Sequence, residues 1–566
     1  MKTVVAGAVF LAILSAWNDG SVGAALCGRP VFSGDHRPHP QGDHATREDR
    51  VGKQGGHIEP PLQITSASRT PDPAQGRRIY LDACASCHRR SGFGGSEGGV
   101  YVPRVTGPAL FGPRQLRRAD LFRALYQEPQ PQPYATRVRD PRPRPAYTAE
   151  SLAVLLREGR DPAGRTLDPL MPRFRLSDEE TAHLAAYLAG LAAQPSPGVD
   201  GESIHFATVI TPGVDAGRRK ALLDVLEAYV RWKNAETRHS AQRLGYSPWY
   251  RDELYPSYRE WKLHVWELRG PAATWPQQLA AFYRQQPVFA VLSGLGAGSW
   301  RPVHEFCERT EVPCLFPNTD LPVLSPSGIY ALYLSPGLAV EAQALARQLV
   351  GSPGRVVQVY RDVDEGRVPA RALREALSPK RIEERAIRPD TKLTPAFWRR
   401  LVRETRPAVL VLWLGPEDAE TLGADDVEAV QRIVFSSSLL KGLSPSVPPE
   451  KVWLTWPFVL PGHEDPLIYR VRAWMGARRI ERTHERLQLN AWCAMAIADH
   501  SLAHLVDNFS RDFFVESVEE ETENALSPGV FPSLSLGPGQ RFASKGSYVV
   551  RMTDGGMESV GGWVVP

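Results

Sequence analysis

The sequence predicts a chain of several domains, with a helical first region followed by a longer region in which strands alternate with helices. Its 566 residues exceed the roughly 100–200 residues of a single domain. Helical patterns dominate up to the segment Gln194-Pro195-Ser196-Pro197-Gly198, after which apolar, strand-like runs and amphipathic helices alternate. This alternation is typical of parallel sheets covered by helices, and it occurs in two consecutive blocks, so we expect two lobes.

The overall composition is that of a globular protein. Apolar residues make up 42% of the chain, charged residues make up 23%, and the formal net charge is +4. So small a charge over this length gives no electrostatic footprint for nucleic acid. No apolar run of about twenty residues occurs beyond the N-terminal segment, so no membrane span is expected once that segment is removed. The composition therefore excludes a nucleic-acid binder and a transport channel.

The N-terminal segment has the layout of a secretory signal peptide. Lys2 precedes an apolar stretch from Val4 to Trp17, and small residues follow. We therefore expect a signal peptide over residues 1–25 and export to a bacterial periplasm, with an uncleaved anchor helix as the alternative. The polar, aperiodic residues 26–71 are predicted to be a disordered leader.

The strongest chemical signal is Cys84-Ala-Ser-Cys87-His88, which follows helix-forming residues. C-x-x-C-H is the attachment signature of a c-type haem. Two thiols one helical turn apart add to the haem vinyl groups, and the adjacent histidine supplies a nitrogen to the iron. A redox or zinc site is the alternative for a bare C-x-x-C, but no second cysteine pair lies nearby. The sequence therefore predicts one covalent haem c with His88 as an iron ligand.

The sixth iron ligand is predicted to be Met171, the single methionine within residues 70–193. It lies in a proline-flanked loop, just before Ser177 and Glu180, whose spacing predicts a capping box at the start of the last helix of this region. His183, inside that helix, is the alternative ligand, although a packing role is commoner for a helical histidine.

A third segment, Thr106-Gly107-Pro108-Ala109-Leu110-Phe111-Gly112, completes the pattern. With the CASCH and LMPRF segments it resembles the class I c-type cytochromes over residues 72–193. The resemblance implies an all-α cytochrome c domain around one haem, in which the Pro108 carbonyl accepts a hydrogen bond from the His88 ring. It implies an electron carrier, and we expect a periplasmic dehydrogenase or oxidase as its redox partner. The insert from Pro129 to Pro145 departs from the family pattern and is predicted to be a surface loop.

The second region is predicted to contain a ligand cleft. Residues 194–202 read as a short stiff linker and residues 203–566 as the α/β domain, in which ligands bind beyond the carboxyl ends of the strands. The candidate ligand-binding residues in those loops are Ser293, Asn318, Thr319, Asp320, Glu365 and Glu417. Ordinary turn chemistry is the alternative for Ser293 and Asp320. Because acidic residues predominate in these loops, we expect a cation, an amine or a hydroxylated neutral solute rather than an aliphatic amino acid.

The order of these elements resembles the type 1 periplasmic binding proteins of the branched-chain amino-acid class, which are substrate-binding proteins of ABC transporters. The segments PVFAVLSG, VPCLFPNTD and LSLGPGQRFASKG carry the likeness. It implies a two-lobed, Venus-flytrap α/β domain that closes on a small polar solute. In that family a serine after a strand and a threonine loop hold a ligand carboxylate. Ser293 matches that serine, whereas Asp320 stands where the threonine is expected.

Cys307 and Cys314 are predicted to form a disulfide. They lie on either side of a turn between a predicted helix and a predicted strand, and that spacing can bring two α-carbons within the ~4.4–6.8 Å that the bond requires. An oxidising compartment favours the bond. Two buried free thiols are the alternative.

Taken together, these features predict a periplasmic cytochrome that transfers single electrons and binds a small polar solute, and that is not itself an enzyme. No nucleophile with an adjacent base is evident. One alternative is a sensing or ABC-transporter-type solute receptor in which the haem is auxiliary. Another is an oxidoreductase that uses the cleft as a catalytic site.

Overall fold

The computed structural model describes residues 70–97, 100–113, 143–243, 259–324, 327–377, 382–442, 446–505, 508–523, 530–553 and 556–566. The predicted signal peptide, nearly all of the predicted leader and most of the predicted surface insert lie outside these residues. None of the helices within the described residues is both long and apolar enough to cross a membrane.

The first region is mainly helical. Its elements are α1 (Pro73–Ala83), α2 (Ala85–His88), β1 (Gly95–Glu97), β2 (Val100–Val102), α3 (Gly107–Phe111), α4 (Ala149–Glu158) and α5 (Asp178–Gly190). The antiparallel pair β1–β2 is the one departure from an all-α region among these elements. The predicted capping box at α5 is confirmed: Ser177 Oγ accepts from the Glu180 N–H, and Glu180 accepts from the Ser177 N–H at 2.8 Å.

The crossing of α1 over α5 organises this region. A side chain at Gly76 would overlap the main-chain carbonyl of His183, so only glycine permits the two helices to approach this closely. His183 is buried, and its Nδ1 accepts the Asp72 N–H at 2.8 Å, just before α1 begins. His183 therefore packs at the helix crossing, which is the alternative to iron ligation that the sequence offered for it.

The second region begins with a five-stranded parallel sheet in the order β4-β3-β5-β6-β7. Its elements are β3 (Ser203–Ile210), α6 (Ala216–Arg243), β4 (Glu260–Glu267), α7 (Trp275–Gln285), β5 (Ala290–Leu292), α8 (Arg301–Thr310), β6 (Cys314–Leu315) and β7 (Ala331–Leu332). The strands β3, β5, β6 and β7 are almost fully buried, whereas the edge strand β4 is partly exposed. This sheet and its helices form the first lobe.

A second, seven-stranded sheet follows, in the order β14-β13-β12-β11-β10-β8-β9. Its elements are α9 (Leu338–Leu349), β8 (Val356–Arg361), α10 (Asp364–Ala376), β9 (Ile382–Ile387), α11 (Pro395–Thr405), β10 (Val409–Trp413), α12 (Pro416–Ala419), β11 (Arg432–Ser436), α13 (Ser437–Leu440), β12 (Val452–Trp456), β13 (Tyr548–Thr553) and β14 (Gly556–Ser559). Strands β8 to β12 are parallel, and β13 and β14 add antiparallel edges. The expectation of two α/β lobes is confirmed.

Three further helices return the chain to the first lobe: α14 (Leu467–Ala477), α15 (Glu485–Leu505) and α16 (Arg511–Glu523). They share an apolar core with β3 and α6. The apolar pattern of the sequence from Leu487 to Phe513 predicts a single helix in place of α15 and α16. That prediction was wrong because the chain turns at Asn508 and Ser510, residue types that favour helix ends by bonding to nearby backbone.

The predicted linker is held against the start of α16. Arg511 is 7% exposed, its backbone N–H donates to Ser196 Oγ at 3.1 Å, and its guanidinium donates to the Pro197 carbonyl at 2.9 Å. The guanidinium also reaches the carbonyls of Val288, Phe289, Thr310 and Glu311. The last two acceptors lie at the end of α8, where a cation is favourable. One buried arginine therefore ties the linker to the first sheet and to α8.

The predicted disulfide is not formed. Cys307, in the last turn of α8, and Cys314, in β6, are free thiols that are fully buried and hydrogen-bonded to each other. Burial raises the pKa of Cys307, which keeps the thiol protonated and unreactive. The two cysteines do lie next to each other, as the sequence predicted. They are packed as free thiols in an apolar core and are not bridged.

Candidate functional site

The C-x-x-C-H segment forms a single tight turn directly after α1. The backbone N–H groups of Cys87 and His88 both donate to the Cys84 carbonyl, at 3.2 and 2.9 Å. Both cysteines are free thiols; Cys84 is half-buried and Cys87 is exposed. Burial raises the pKa of Cys84 to about 11. The backbone therefore holds the two thiols and the histidine on one helical turn, the spacing that haem attachment requires.

His88 has one ring nitrogen fixed and the other free. Its Nδ1 lies 2.9 Å from the Pro103 carbonyl, and because a carbonyl only accepts, Nδ1 carries the proton. Burial lowers the pKa of His88, so the ring is neutral. Within the described residues Nε2 has no hydrogen-bond partner, so its lone pair is available to a metal.

The predicted acceptor for the His88 ring, Pro108, is wrong. Pro108 is the second residue of α3, and the neighbouring Gly107 N–H donates to the Leu191 carbonyl at 2.8 Å, beyond the end of α5. A side chain at Gly107 would overlap the Ala189 carbonyl, so the start of α3 is pressed against α5. The chain reaches His88 earlier, in the segment between β2 and α3, and there Pro103 supplies the carbonyl.

Met171 lies at an incompletely covered edge of the apolar core, where a bound apolar group would bury its side chain. It packs, only partly buried, against the apolar core of the helical region, together with Cys84 and Phe174. The neighbouring Leu170 leaves 66% of its surface exposed. A free histidine nitrogen, two thiols, a thioether and incompletely covered apolar side chains are the donors and the lining that haem c needs, so these residues fit that group.

The segment after His88 is covered by α16. Glu516 accepts the Ser91 backbone N–H at 3.1 Å and the Ser91 hydroxyl at 2.5 Å, and it is 9% exposed. Phe93 stacks on Phe513 with ring centroids 4.0 Å apart. Burial raises the pKa of Glu516 to about 7, although the hydrogen bonds from Ser91 oppose this. The first region thus contacts the first lobe through a buried carboxyl group.

A cleft of about 490 Å³ lies between the carboxyl ends of the two sheets. The first lobe contributes the loop after β6 and the start of α6. The second sheet contributes the residues after β11 and β12, and the start of α15 closes one side. Its polar and charged lining residues are Arg218, Asn318, Thr319, Asp320, Ser335, Ser437, Ser438, Lys441, Thr483, His484, Glu485, Arg486 and Asn490. This is the position at which open α/β sheets bind ligands.

Three of the six predicted ligand-binding residues line this cleft: Asn318, Thr319 and Asp320. Ser293 lies behind them, fully buried, and its hydroxyl accepts from Asn318 Nδ2 at 3.0 Å. The side-chain oxygen of Asn318 in turn accepts from Asn490 Nδ2 at 3.1 Å. Ser293 therefore positions Asn318 and does not line the cleft itself.

Glu365 and Glu417 are not among the lining residues, and the predicted acidic mouth is wrong. Each lies in the first turn of the helix after its strand, where a carboxylate is favourable without any ligand. Other acids of the same loops are taken up locally: Arg367 pairs with Asp362 at 2.7 Å, and Arg361 pairs with Asp418.

The cleft is lined instead by three cations, Arg218, Lys441 and Arg486. None of the three was among the predicted ligand-binding residues. Lys441 was missed because the prediction included no strand at β11, and so no cleft loop after it. Arg486 lies at the start of α15, far along the chain from any predicted cleft loop. A strand predicted at β11 would have placed Lys441 in a loop after a strand end, where ligands bind. No sequence signal marks Arg486.

Residues 73–192 match the sequence model of the cytochrome c family, so this part of the chain is a cytochrome c domain. No protein of curated function matches the chain significantly.

Solved structures are similar to the α/β region at low identity. One is a fatty acid ABC transporter substrate-binding protein from Thermomonospora curvata, at 16% identity over 66% of this chain and 95% of that one, with a TM-score of 0.46. Another is a branched-chain amino acid ABC transporter protein from Thermus thermophilus with bound valine, at 14% identity over 64% and 97%, with a TM-score of 0.48. A possible leucine/isoleucine/valine-binding protein from Rhodopirellula baltica matches at 14% over 65% and 98%, also with a TM-score of 0.48.

Proposed function

We propose that this protein is an exported, periplasmic electron carrier with one covalent haem c and a cleft that binds a small solute. Its redox partner is a periplasmic dehydrogenase or oxidase, and the chain itself catalyses no reaction. One C-x-x-C-H motif in the whole sequence supports a single haem. The cleft between the two lobes supports the binding of a small molecule.

The observation that carries the proposal is the state of the His88 ring. Its Nδ1 donates to the Pro103 carbonyl, which fixes both the tautomer and the ring orientation. Its Nε2 is free, and Cys84 and Cys87 lie on the same turn with free thiols. The buried His183 differs: its Nδ1 accepts from the Asp72 N–H, and its Nε2 lies 3.7 Å from the Glu179 carboxylate.

In this proposal each residue has a distinct role. Cys84 and Cys87 would hold the group by thioether bonds, and His88 and Met171 would be the protein ligands of its iron. Bound haem would supply a one-electron redox couple. Pro103 keeps the His88 ring oriented, and the apolar lining around Met171 excludes water, which favours a stable potential.

The absorption spectrum of the purified protein tests this assignment. Haem should resist extraction into acidic organic solvent, and the ferric protein should show the weak red band of methionine ligation. Met171→Ala should abolish that band and lower the potential, because water or a weaker ligand replaces the thioether. Leu170→Ala, at the exposed neighbouring position, is the matched control and should keep both. Extractable haem, or an unchanged band in Met171→Ala, would contradict the proposal.

One observation favours a second function, a receptor in which solute binding adjusts the haem. Helix α15 carries Asn490 at the cleft and packs along α16. Helix α16 carries Glu516, which is bonded to Ser91 three residues after the haem histidine. Two packed helices therefore join the cleft to the haem segment.

The haem midpoint potential with and without saturating solute separates the two functions. A receptor changes its potential on binding, because the solute and the electron then act on the same pair of helices. Ser91→Ala should reduce that change, whereas Ser86→Ala, on the exposed face of α2, should preserve it. A potential that is the same with and without solute would exclude the receptor function, and the simple electron carrier would remain.

A further inference from the structure

Three cations in the cleft have no partner. Arg218, Lys441 and Arg486 line it, and in the part of the chain that the structure describes their side chains make no hydrogen bond and no salt bridge. Neighbouring arginines behave differently: Arg472 and Arg482 both pair with Glu485, at 2.7 and 3.2 Å. Arg218, Lys441 and Arg486 therefore leave three positive charges without a carboxylate partner at the space where a solute would sit.

Arg486 is the most constrained of the three. Its guanidinium lies 4.3 Å from the centroid of the Phe458 ring and 5.5 Å from that of Trp456. Burial lowers the pKa of Arg486, so the surrounding protein disfavours its charge. Held between aromatic rings and without a carboxylate, this cation would be stabilised by a negatively charged ligand.

The acidic groups of the cleft do not neutralise these cations. Within the described residues the Asp320 side chain makes no hydrogen bond. Burial and the charge of Glu365 raise its pKa, while Arg218, Lys441 and Arg486 act in the opposite direction. Glu485 also lines the cleft, but its charge is paired with Arg472 and Arg482. With Asp320 ionised, the three unpaired cations and Asp320 leave a net charge of +2.

One further acid lies behind the wall of the cleft. Glu341 is fully buried, and it accepts hydrogen bonds from Ser436 Oγ at 2.7 Å and from Thr455 Oγ1. Burial raises the pKa of Glu341 to about 7, so at neutral pH it carries only part of a negative charge. Its contribution leaves the cleft positive.

We propose, building on the proposed solute-binding function, that the cleft binds a small organic dianion whose charge Arg218, Lys441 and Arg486 neutralise. A single carboxylate would leave the cleft positive, whereas a dianion matches its net charge. The volume of about 490 Å³ suits a small organic molecule, since such sites span roughly 300–1,000 Å³. Asp320 then selects ligands that carry a hydrogen-bond donor, such as a hydroxyl group.

Calorimetric titration of the full haem-loaded protein tests this inference. The probes are succinate for a dicarboxylate, glycerol 3-phosphate for a phosphate monoester, and leucine, glycerol and putrescine for the neutral and cationic classes. One of the two dianions should bind at least about tenfold more tightly than leucine, glycerol or putrescine, and its affinity should fall as salt is added. Tighter binding of leucine, glycerol or putrescine would overturn the inference.

Matched variants assign the effect to these side chains. Arg486→Gln and Lys441→Gln should each weaken dianion binding about tenfold or more, because a charge-assisted bond is lost. Arg482→Gln, which removes a cation already paired with Glu485, is the control and should leave the affinity unchanged. Lys441 is exposed, so that variant folds even if Arg486→Gln does not. Unchanged affinity in Lys441→Gln would overturn the inference.

The two proposals fail in different ways. If none of the five probes binds, the solute-binding function itself is wrong. If leucine, glycerol or putrescine binds best, that function stands and the dianion inference is wrong.

Discussion

The buried carboxyl group of Glu516 makes stability depend on pH in a direction opposite to that of most carboxylates. Its burial among Ser91, Phe93 and Phe513 raises its pKa from the usual 4.5 to about 7, and Asp512, one turn earlier on α16, adds to the effect. The hydrogen bonds from Ser91 and the charge of Arg89 oppose it without reversing it. The folded protein therefore keeps this proton to a higher pH than the unfolded chain does.

The sign and size of the effect follow from that difference. Between pH 4.5 and 7 the folded state binds more protons, so the stabilising contribution of Glu516 is complete below pH 4.5 and is lost as the pH rises through 7. The interval from 4.5 to about 7, at roughly 1.4 kcal/mol per pH unit, corresponds to about 3 kcal/mol. Above pH 8 the carboxyl group is ionised in the folded protein, and its stabilising contribution is lost completely.

Glu516→Gln removes the titrating group and keeps its shape. On going from pH 5 to pH 8.5, the wild type should lose unfolding free energy that the variant does not lose. We expect this extra loss in the wild type to be about 3 kcal/mol. Urea unfolding of the haem-loaded protein at both values measures this double difference, in which every other titrating group cancels. Glu520→Gln is the control, since Glu520 is half-exposed on the same helix and pairs with Arg89 at 2.7 Å. The reasoning is refuted if Glu516→Gln and the wild type show the same pH difference.

Three further outcomes are expected. Gly76→Ala should destabilise the helical region by about 1–3 kcal/mol in thermal unfolding, because the new methyl group overlaps the His183 carbonyl, whereas Gly190→Ala, which meets only open space, should not. Arg511→Met should cost about 3 kcal/mol or more by leaving buried carbonyls unpaired, whereas Arg309→Met, at an exposed position, should change urea unfolding little. Cys307, Cys314 and Cys493 should resist a thiol reagent in the native protein and react when it is denatured without reductant, and failure of Cys307 and Cys314 to react would reveal a bridge.

The local elements of the fold could be predicted because their signals are local. The sequence pattern from Trp300 to Thr310 predicts a helix, which lies at Arg301–Thr310, and the capping box at Ser177 is where the spacing predicted it. The break between α15 and α16 was missed because the apolar pattern continues across Asn508 and Ser510. The preference of these two residue types for helix ends indicates the break, but the apolar periodicity predicts a continuous helix.

Features that depend on distances between remote segments could not be predicted in the same way. Both Pro103 and Pro108 lie a plausible distance from His88 along the chain, and only the packing of α3 against α5 decides between them. Counting charges on the predicted cleft loops gave the wrong sign for the cleft. Asp362 and Asp418 of these loops are paired with nearby arginines, Glu365 and Glu417 do not line the cleft, and its cations are Arg218, Lys441 and Arg486.

The contact of Ser91 with Glu516 sets an order of events during biosynthesis. The two residues are 425 positions apart, so the segment after His88 stays uncovered until the distant end of the chain has been synthesised and folded. Closure of α16 over Ser91 and Phe93 is therefore a late step of folding. Because that step leaves Cys87 exposed and Cys84 half-buried, the Cys87 thiol stays accessible after closure as well as before it.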